Sequence, residues 1–356
     1  MGNWHVYTAF SLIYTDPMPL LTVSHLYKRF NLEAGFFARY GRFVNAVNDI
    51  SFSIGKNEAY GLVGESGCGK TTTARLLVRM YETDSGEIIF YHGDKAAPVA
   101  SLKKEELRQY REKVRYVFQD PARSLNPRMS VYEVLVSGCR RPLKKRGVTE
   151  AELRKKAAAI LEEAGLQAAD LEKRPSEFSG GQRQRISIAR ALLMEPELLI
   201  CDEVVSALDV SIQGQILNLL YDIHEKRNMS FLFIAHDLKV ACYFCDRIGV
   251  MYKGELMEEA PAADLYREGL HPYTKLLFSS ASKINDGGKP PPSCLTTPEW
   301  SGAKSAVVAN NEAACCPFAP RCISASERCF REHPDLTQAG AGHLIRCFNF
   351  TGDNSN

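Results

Sequence analysis

The chain has 356 residues and a formal net charge of +2, with 45% hydrophobic and 24% charged residues. This composition is ordinary for a globular protein, and the length exceeds one core of usual size, so we expect more than one unit. The near balance of charges argues against a strongly basic nucleic-acid-binding face.

The first 31 residues contain only a short apolar segment and the beginning of a strand. The segment AFSLIY is followed by Asp16 and Pro17, and it lacks the cationic start and cleavage site of a signal peptide. No stretch of the sequence approaches the ~20 apolar residues of a membrane-spanning helix. We therefore expect a cytoplasmic protein that docks, at most, onto a membrane partner.

Short apolar runs alternate with helical patterns along the chain, which favours a largely parallel sheet covered on both faces. Helical patterns occupy residues 71–80 and about 130–195, where Thr149 and Glu152 form a capping box and Gly165 ends one helix. The predicted strands are residues 20–26, 49–54, 58–63, 114–118, 197–201, 230–235 and 246–250.

Two stretches lack periodicity. Residues 32–45 are rich in Gly, Phe and Tyr and are predicted to form a loop insertion, whereas residues 283–314 contain GGKPPPS and are predicted to be a linker. These boundaries divide the chain into a main domain at residues 18–282, the linker, and a Cys-rich segment at residues 315–348.

A glycine-rich loop lies between the strand ending in YGLV and the following helix. GESGCGKT, residues 64–71, fits the phosphate-loop pattern G-x-x-x-x-G-K-[ST]. Lys70 would reach the β- and γ-phosphates, and the Thr71 hydroxyl would bind Mg²⁺, while the glycines direct backbone N–H groups at phosphate oxygens. The predicted nucleotide-binding residues here are Gly64, Glu65, Ser66, Gly67, Cys68, Gly69, Lys70, Thr71 and Thr72.

An acidic pair follows the apolar run LLIC. Asp202 ends this predicted strand and would hold Mg²⁺ through water, while Glu203 would polarise an attacking water. An acidic pair at a strand end is common in proteins, so the pair gains its meaning from the phosphate loop.

The segment FSGGQRQRISIARALL, residues 178–193, resembles the signature motif of ABC-type ATPases. The resemblance implies an α/β fold: a P-loop ABC ATPase with a RecA-like core sheet, an antiparallel β subdomain and a helical signature subdomain at about 122–195, plus a small Cys-rich C-terminal extension. It also implies that a phosphate of ATP held by a facing subunit would bind at Ser179, Gly180, Gly181 and Gln182.

Other motifs of that family match in order along the chain. Gln119 in VFQDP resembles the glutamine that contacts Mg²⁺, and Asp209 in SALD resembles an aspartate near the dimer interface. His236 in FIAHD resembles the histidine that contacts the γ-phosphate. Phe30 in LYKRF aligns with the aromatic residue that stacks on adenine, with Tyr27 as the nearby alternative. The implied catalytic set is Lys70, Gln119, Glu203 and His236, and the implied Mg²⁺ set is Thr71, Gln119 and Asp202.

Three longer segments resemble the ATPases of oligopeptide and dipeptide importers, including nickel-importing relatives. They are QDPARSLNPRMSVYEVL, CDEVVSALDVSIQ and LHPYTKLLFSSA. This resemblance implies an ATP-hydrolysing subunit on the cytoplasmic face of the inner membrane. Its implied partners are a second ATPase subunit (commonly a paralogue), two permeases and an extracytoplasmic binding protein, with no nucleic acid. Val204 departs from the family, which usually has proline there.

The C-terminal segment contains four cysteines that could share one metal, Cys316, Cys322, Cys329 and Cys347. The gaps between them are five, six and 17 residues. Four thiolates suit one metal centre. The same tail in this family is associated with a [4Fe–4S] cluster. Zinc is the alternative, although its usual C-x₂-C pairs are missing, and free thiols are a third reading.

Two other functions remain open on the sequence alone. One is a soluble ABC ATPase that remodels nucleic acid or ribosomes, but such proteins often carry two cassettes or a long coiled coil. The other is a P-loop kinase, which does not require an SGGQ motif.

Overall fold

The computed structural model of the protein describes residues 19–31, 43–206, 208–281 and 315–350. Its strands are β1 Pro19–Asn31, β2 Phe43–Gly55, β3 Ala59–Val63, β4 Ser85–His92, β5 Lys95–Pro98, β6 Val114–Val117, β7 Leu198–Asp202, β8 Ser230–Ala235, β9 Arg247–Tyr252, β10 Glu255–Pro261, β11 Thr337–Gly340 and β12 His343–Ile345.

Along the chain, most of the helices connect strands of the larger sheet. They are α1 Lys70–Leu77, α2 Lys104–Lys113, α3 Pro121–Ser124, α4 Val131–Val136, α5 Arg140–Lys145, α6 Glu150–Glu163, α7 Gly180–Leu192, α8 Val210–Arg227, α9 Leu238–Phe244, α10 Ala262–Glu268 and α11 Pro272–Ala281. None of the helices in the described residues combines the length and apolar character that a membrane span requires.

Two sheets organise the fold. A four-stranded antiparallel sheet has the order β2-β1-β4-β5, and an eight-stranded sheet has the order β11-β12-β10-β9-β3-β8-β7-β6. In the larger sheet β6, β7, β8, β3 and β9 run parallel, whereas β10, β11 and β12 pair antiparallel. The carboxyl ends of β3, β7 and β8 therefore meet at one edge, where the predicted site residues follow them.

The larger sheet separates two apolar cores, because alternate residues of a strand point to opposite faces. On β3, Ala59 and Val63 belong to the core on the helical side, while Tyr60 and Leu62 belong to the core that includes the antiparallel sheet. All five residues of β3 are buried, which explains the continuous apolar run in the sequence.

One predicted boundary needs correction, one predicted region is divided more finely, and one lies outside the described residues. The predicted loop 32–45 ends earlier, since β2 begins at Phe43, which pairs with Asn31 of β1; residues 32–42 lie outside the described residues. The helical region 130–195 is divided into four helices, with breaks after Val136, Lys145 and Glu163. The predicted linker at 283–314 also lies outside the described residues.

The C-terminal segment joins the larger sheet through a pairing of β12 with β10. Glu258 of β10 has no exposed surface, and its carboxylate accepts hydrogen bonds from His343 Nε2 at 2.7 Å and the backbone N–H groups of Leu270 and His271. Burial opposes ionisation of Glu258, yet the hydrogen bonds from His343 and the two N–H groups lower its pKa.

Replacing this buried carboxylate is expected to destabilise the junction. Glu258→Gln should lower the free energy of unfolding at pH 7 by about 2–3 kcal/mol, since it removes charge-assisted hydrogen bonds in a buried site. Because the folded-state pKa is depressed, the wild-type contribution is present above the ordinary value of 4.5 and is lost as pH falls through the folded-state pKa.

Urea unfolding at several pH values measures this effect. The variant should be less stable than wild type at pH 7 and should approach wild type under acidic conditions. Glu327→Gln, at an exposed pair with Arg331, is the matched control and should match wild type. Equal stability of Glu258→Gln and wild type at pH 7 would contradict the stabilising role of the Glu258 carboxylate.

Candidate active site

The phosphate loop connects the end of β3 to the start of α1. Gly69 is the N-cap of α1 with φ +111°, and no side chain caps the helix, so its first N–H groups are available to an anion. The loop is tightly packed from below: a Cβ on Gly64 would lie 2.2 Å from the Met251 carbonyl oxygen, and one on Gly69 would lie 2.1 Å from that of Ala46. Glycine is therefore required at both positions.

Lys70 is held inside this loop. Its side chain is only 3% exposed, and its ammonium donates to the carbonyl oxygens of Gly64 at 2.7 Å and Glu65 at 3.0 Å. The ammonium also lies 3.7 Å from the Cys68 sulfur. A buried cation beside a helix N-terminus makes the loop complementary to a phosphate group.

Two of the predicted Mg²⁺ ligands are brought together at the edge of the sheet. The Thr71 hydroxyl donates to Asp202 Oδ1 at 2.9 Å, so the first turn of α1 and the end of β7 converge. A hydroxyl and a carboxylate are oxygen donors of the kind that Mg²⁺ prefers, and such sites keep several waters. The donor set therefore fits the metal that the sequence predicted.

Glu203 follows Asp202 in a left-handed conformation with φ +49°. Its backbone N–H donates to the Ile234 carbonyl, its own carbonyl accepts bonds from Ser206, and Gln119 Nε2 donates to Glu203 Oε2 at 2.6 Å. Val204 stands in this turn, where the family usually has proline. Val204 is 2% exposed and packs in the core, so the backbone of Glu203 is fixed by packing and hydrogen bonds.

Tyr116 is a site residue that the sequence analysis missed. It lies on β6, beside β7, and its hydroxyl donates to Asp202 Oδ2 at 2.5 Å. Burial, and then the charge of Asp202, raise the pKa of this phenol, so it stays protonated and able to donate. The two oxygens of Asp202 are thus oriented by two different hydroxyl groups, from Thr71 and Tyr116.

Removing the Tyr116 hydroxyl should weaken the metal-dependent step. We expect Tyr116→Phe to raise the Mg²⁺ concentration required for half-maximal ATPase activity by about 10-fold, as for loss of a hydrogen bond that orients a ligand. A magnesium titration of ATPase activity measures this. Tyr221→Phe, on an exposed residue of α8, serves as the control, and equal Mg²⁺ requirements for the two variants would contradict the role.

The remaining predicted nucleotide contacts lie on separate elements. His236 is exposed directly after β8, and Phe30, near the end of β1, packs edge-on against Tyr81 at 5.3 Å between ring centroids. Tyr27 lies on the same strand, and burial followed by the charge of Asp49 raises its pKa. The roles of His236 and Phe30 stay predictions.

The signature segment forms the N-terminus of α7. Ser179 is the N-cap: its hydroxyl oxygen accepts from the Gln182 N–H, and Gln182 Oε1 accepts from the Ser179 N–H at 2.9 Å. Gly181 is pressed against α8, where a Cβ would lie 2.5 Å from Ile212 Cγ2. Asp209, the N-cap residue of α8, is next to this contact in the chain. The four signature residues and Asp209 therefore lie at one largely exposed corner, where α7 and α8 begin side by side; we call it the signature corner.

The cysteines of the C-terminal segment lie on short turns. The Cys316 N–H donates to the Cys329 carbonyl at 2.9 Å, and burial raises the pKa of the Cys316 thiol to about 11. Burial also raises the pKa of Cys322 and Cys347. Across the described residues, no three His, Cys, Asp or Glu side chains have a geometry that could hold a metal ion. The predicted metal centre is therefore not confirmed.

A glycine loop with a buried lysine, a Thr–Asp pair at the edge of a parallel sheet and an adjacent glutamate define a P-loop nucleotide-hydrolysing enzyme. Family models agree on the class and narrow it: the model described as ABC transporter matches residues 47–206, and that described as oligopeptide/dipeptide transporter, C-terminal region, matches residues 257–329.

Curated relatives match over most of the chain. The oligopeptide transport ATP-binding protein OppF of Bacillus subtilis is 47% identical, over 73% of this chain and 82% of its own. AppF of the same organism, also an oligopeptide transport ATP-binding protein, is 38% identical over 92% of this chain and 96% of its own. The chain belongs to the ABC transporter ATP-binding proteins of the oligopeptide/dipeptide family and is an ATPase.

A solved structure supports the same fold. The ATP-binding cassette MJ0796, a dimer bound to ADP and Pi, superposes with a TM-score of 0.58 and 27% identity, covering 68% of this chain and 98% of that chain. The predicted class of fold, a P-loop ABC ATPase, is confirmed.

Proposed function

We propose that this ATPase powers the import of di- or oligopeptides through membrane permeases. The match of residues 257–329 to the oligopeptide/dipeptide C-terminal region carries this proposal, together with relatives named for oligopeptide transport. The chain would bind peripherally at the cytoplasmic face, in a complex with two permeases, a second ATPase subunit and an extracytoplasmic binding protein. The soluble nucleic-acid or ribosome remodelling alternative has no comparable support.

The catalytic step follows from the side chains around the loop. Lys70 and the N–H groups of α1 would hold the phosphates and stabilise the charge that develops during transfer. Mg²⁺, when bound at Thr71 and Asp202, would neutralise charge on the phosphates. Glu203 would orient the attacking water. The amide of Gln119, which donates a hydrogen bond to Glu203, would hold that carboxylate in position.

The signature corner would act on a second subunit. Ser179, Gly180, Gly181 and Gln182 form an N-terminal helix end, and such an end binds anions. We place the γ-phosphate of the facing subunit's ATP there, with Asp209 and His236 close to the interface. ATP would thus hold two subunits together, and its hydrolysis would release them and reset the permeases.

Transport by the reconstituted complex tests the proposal. The full chain is co-purified with its membrane partners, placed in vesicles together with the binding protein, and supplied with a labelled tripeptide. ATP should drive uptake of the tripeptide, and uptake should vanish when Lys70 is replaced by Ala. Co-purification with ribosomes or nucleic acid instead of polytopic membrane proteins would contradict it.

We further propose that Cys316, Cys322, Cys329 and Cys347 take up a metal centre, either [4Fe–4S] or zinc. The support is the donor chemistry: four thiols lie within one short segment, and two of its turns are joined by the Cys316–Cys329 hydrogen bond. Anaerobic purification followed by iron, sulfide and zinc analysis tests this. Bound metal should survive Cys315→Ser and be lost in Cys322→Ser, and metal-free wild-type protein would contradict it.

A further inference from the structure

A side chain of the C-terminal segment reaches the phosphate loop. Arg321 Nη1 lies 2.8 Å from Glu65 Oε2, and Arg321 Nη2 lies 2.8 Å from Glu65 Oε1, across 256 positions of sequence. Two parallel N–H···O bonds fix both the distance and the orientation of the carboxylate. Glu65 is the second residue of GESGCGKT, so the contact falls on the nucleotide-binding loop itself.

The guanidinium of Arg321 lies against two aromatic rings. Its guanidinium carbon lies 5.6 Å from the centre of the Tyr252 ring and 5.8 Å from that of Phe318. Backbone bonds from Ala319 N–H to the Cys316 carbonyl and from Cys322 N–H to the Ala319 carbonyl close the turn that carries it. The rings and the closed turn restrict the guanidinium, which reduces the conformational freedom lost when it pairs with Glu65.

Glu65 is fixed from a second side by the same aromatic group. The Glu65 backbone N–H donates to the Tyr273 hydroxyl at 2.9 Å, and Tyr273, which is fully buried, packs on Phe318 at 5.3 Å between ring centroids. The side chain and the backbone of Glu65 thus rest on one support, formed by Arg321, Tyr273 and Phe318.

The contact also changes the charge of the site. The hydrogen bond from Arg321 is the main cause that lowers the pKa of Glu65, so this carboxylate is ionised at neutral pH and neutralised by its partner. The carbonyl of Glu65 accepts a hydrogen bond from the Lys70 ammonium at 3.0 Å. An unpaired Glu65 would place a negative charge on the loop that must receive the phosphates.

We propose that Arg321 is a positioning residue of the ATP site, which holds Glu65 and the phosphate loop in the geometry that receives nucleotide. This gives the C-terminal segment a part in the ATPase reaction of the chain. The cost of losing Arg321 falls on binding, because phosphate itself orders the loop once it is bound, whereas the groups that act on the transferred phosphoryl group are unchanged.

The test compares ATP binding and turnover in the full chain within its complex. Arg321→Ala should raise the Kd for a non-hydrolysable ATP analogue and the KM for ATP about two- to fivefold, with kcat near wild type. The effect is modest because both side chains of the pair are about 40% exposed. Arg321→Glu, which opposes two carboxylates at the loop, should raise both values by roughly tenfold or more.

A second substitution separates positioning from a structural role. Glu65→Gln in the Arg321→Glu background removes the repulsion, so the Kd should return most of the way to wild type. A merely structural effect of Arg321→Glu on the segment would not be rescued in this way. Arg331→Glu, at an exposed arginine of the same segment, is the matched control and should leave Kd and KM at wild-type values.

Two results would overturn the inference: an unchanged Kd in Arg321→Glu, or a raised Kd that Glu65→Gln fails to rescue. Should Arg321→Glu unfold, Arg321→Lys replaces it, because lysine keeps the charge but cannot form the two parallel hydrogen bonds. An unchanged KM in both Arg321→Lys and Arg321→Ala would then also overturn the inference. Failure of the wild-type chain to bind the analogue would instead contradict the ATPase assignment, so the two failures are distinguishable.

Discussion

Glu203→Gln is expected to lower ATP turnover by about 10²–10³-fold while leaving ATP binding intact. The backbone of Glu203 is held by Ile234 and Ser206, so a glutamine of equal size will occupy the same place. An amide keeps the hydrogen-bonding contact with Gln119 but carries no charge and cannot polarise a water as a carboxylate does. The loss should therefore appear in kcat.

Single-turnover and steady-state ATPase measurements, paired with equilibrium ATP binding, check this expectation. Glu225→Gln, which neutralises an exposed carboxylate of α8, should match wild type in every measurement. Hydrolysis at the wild-type rate by Glu203→Gln would show that another group activates the water. A large loss of ATP affinity would show that the carboxylate organises the binding site instead.

Ser179→Asp is expected to reduce ATP turnover by about 10²–10³-fold at the site to which Ser179 contributes. Asp is as good an N-cap residue as Ser, so α7 should keep its cap, while the new negative charge would repel the phosphate of the facing ATP. The substitution therefore separates phosphate recognition from helix stability. ATP binding at the chain's own phosphate loop should be unchanged.

The control for Ser179→Asp is the same substitution at another helix. Ser130 is the N-cap of α4 with an equivalent capping box through Glu133, so Ser130→Asp changes charge and cap in the same way. ATPase assays of the assembled complex should show that Ser179→Asp inactivates at least one of the two ATP sites, whereas Ser130→Asp inactivates neither. Equal activity of the two variants would mean that the signature corner does not touch ATP.

The parts of the site that the sequence could predict are those set by local patterns. Residues 64–71 carry their own turn-forming glycines and follow a fully apolar strand, so the phosphate loop is recognisable from adjacent residues. Asp202 and Thr71 are distant in sequence, but each follows a pattern that places it at the same sheet edge, and the structure brings them to 2.9 Å.

Contacts between distant segments could not be predicted in this way. Tyr116 has the pattern of an ordinary strand residue, and nothing local shows that its hydroxyl faces Asp202. Arg321 lies in the Cys-rich C-terminal segment. Nothing in the neighbouring sequence indicates that its side chain pairs with Glu65, which is 256 positions away. The pairing of β12 with β10 likewise depends on a three-residue strand, too short to be recognised by periodicity.

The cysteine segment shows a different limit. The spacing of Cys316, Cys322, Cys329 and Cys347 gives the number of thiols and their separation along the chain. It does not determine whether the sulfur atoms converge, because long-range packing of the turns decides their distances. Metal binding, where it occurs, can itself supply the folding free energy for that convergence.

We propose that each ATP is bound between two subunits, so that neither half-site suffices alone. The decisive measurement is turnover per chain together with sedimentation at decreasing protein concentration. Turnover should fall as the protein dissociates and recover when the second ATPase subunit is added, but it should not recover with Ser179→Asp. A sample that sediments only as monomer and hydrolyses ATP at the full rate, with Ser179 replaced, would contradict it.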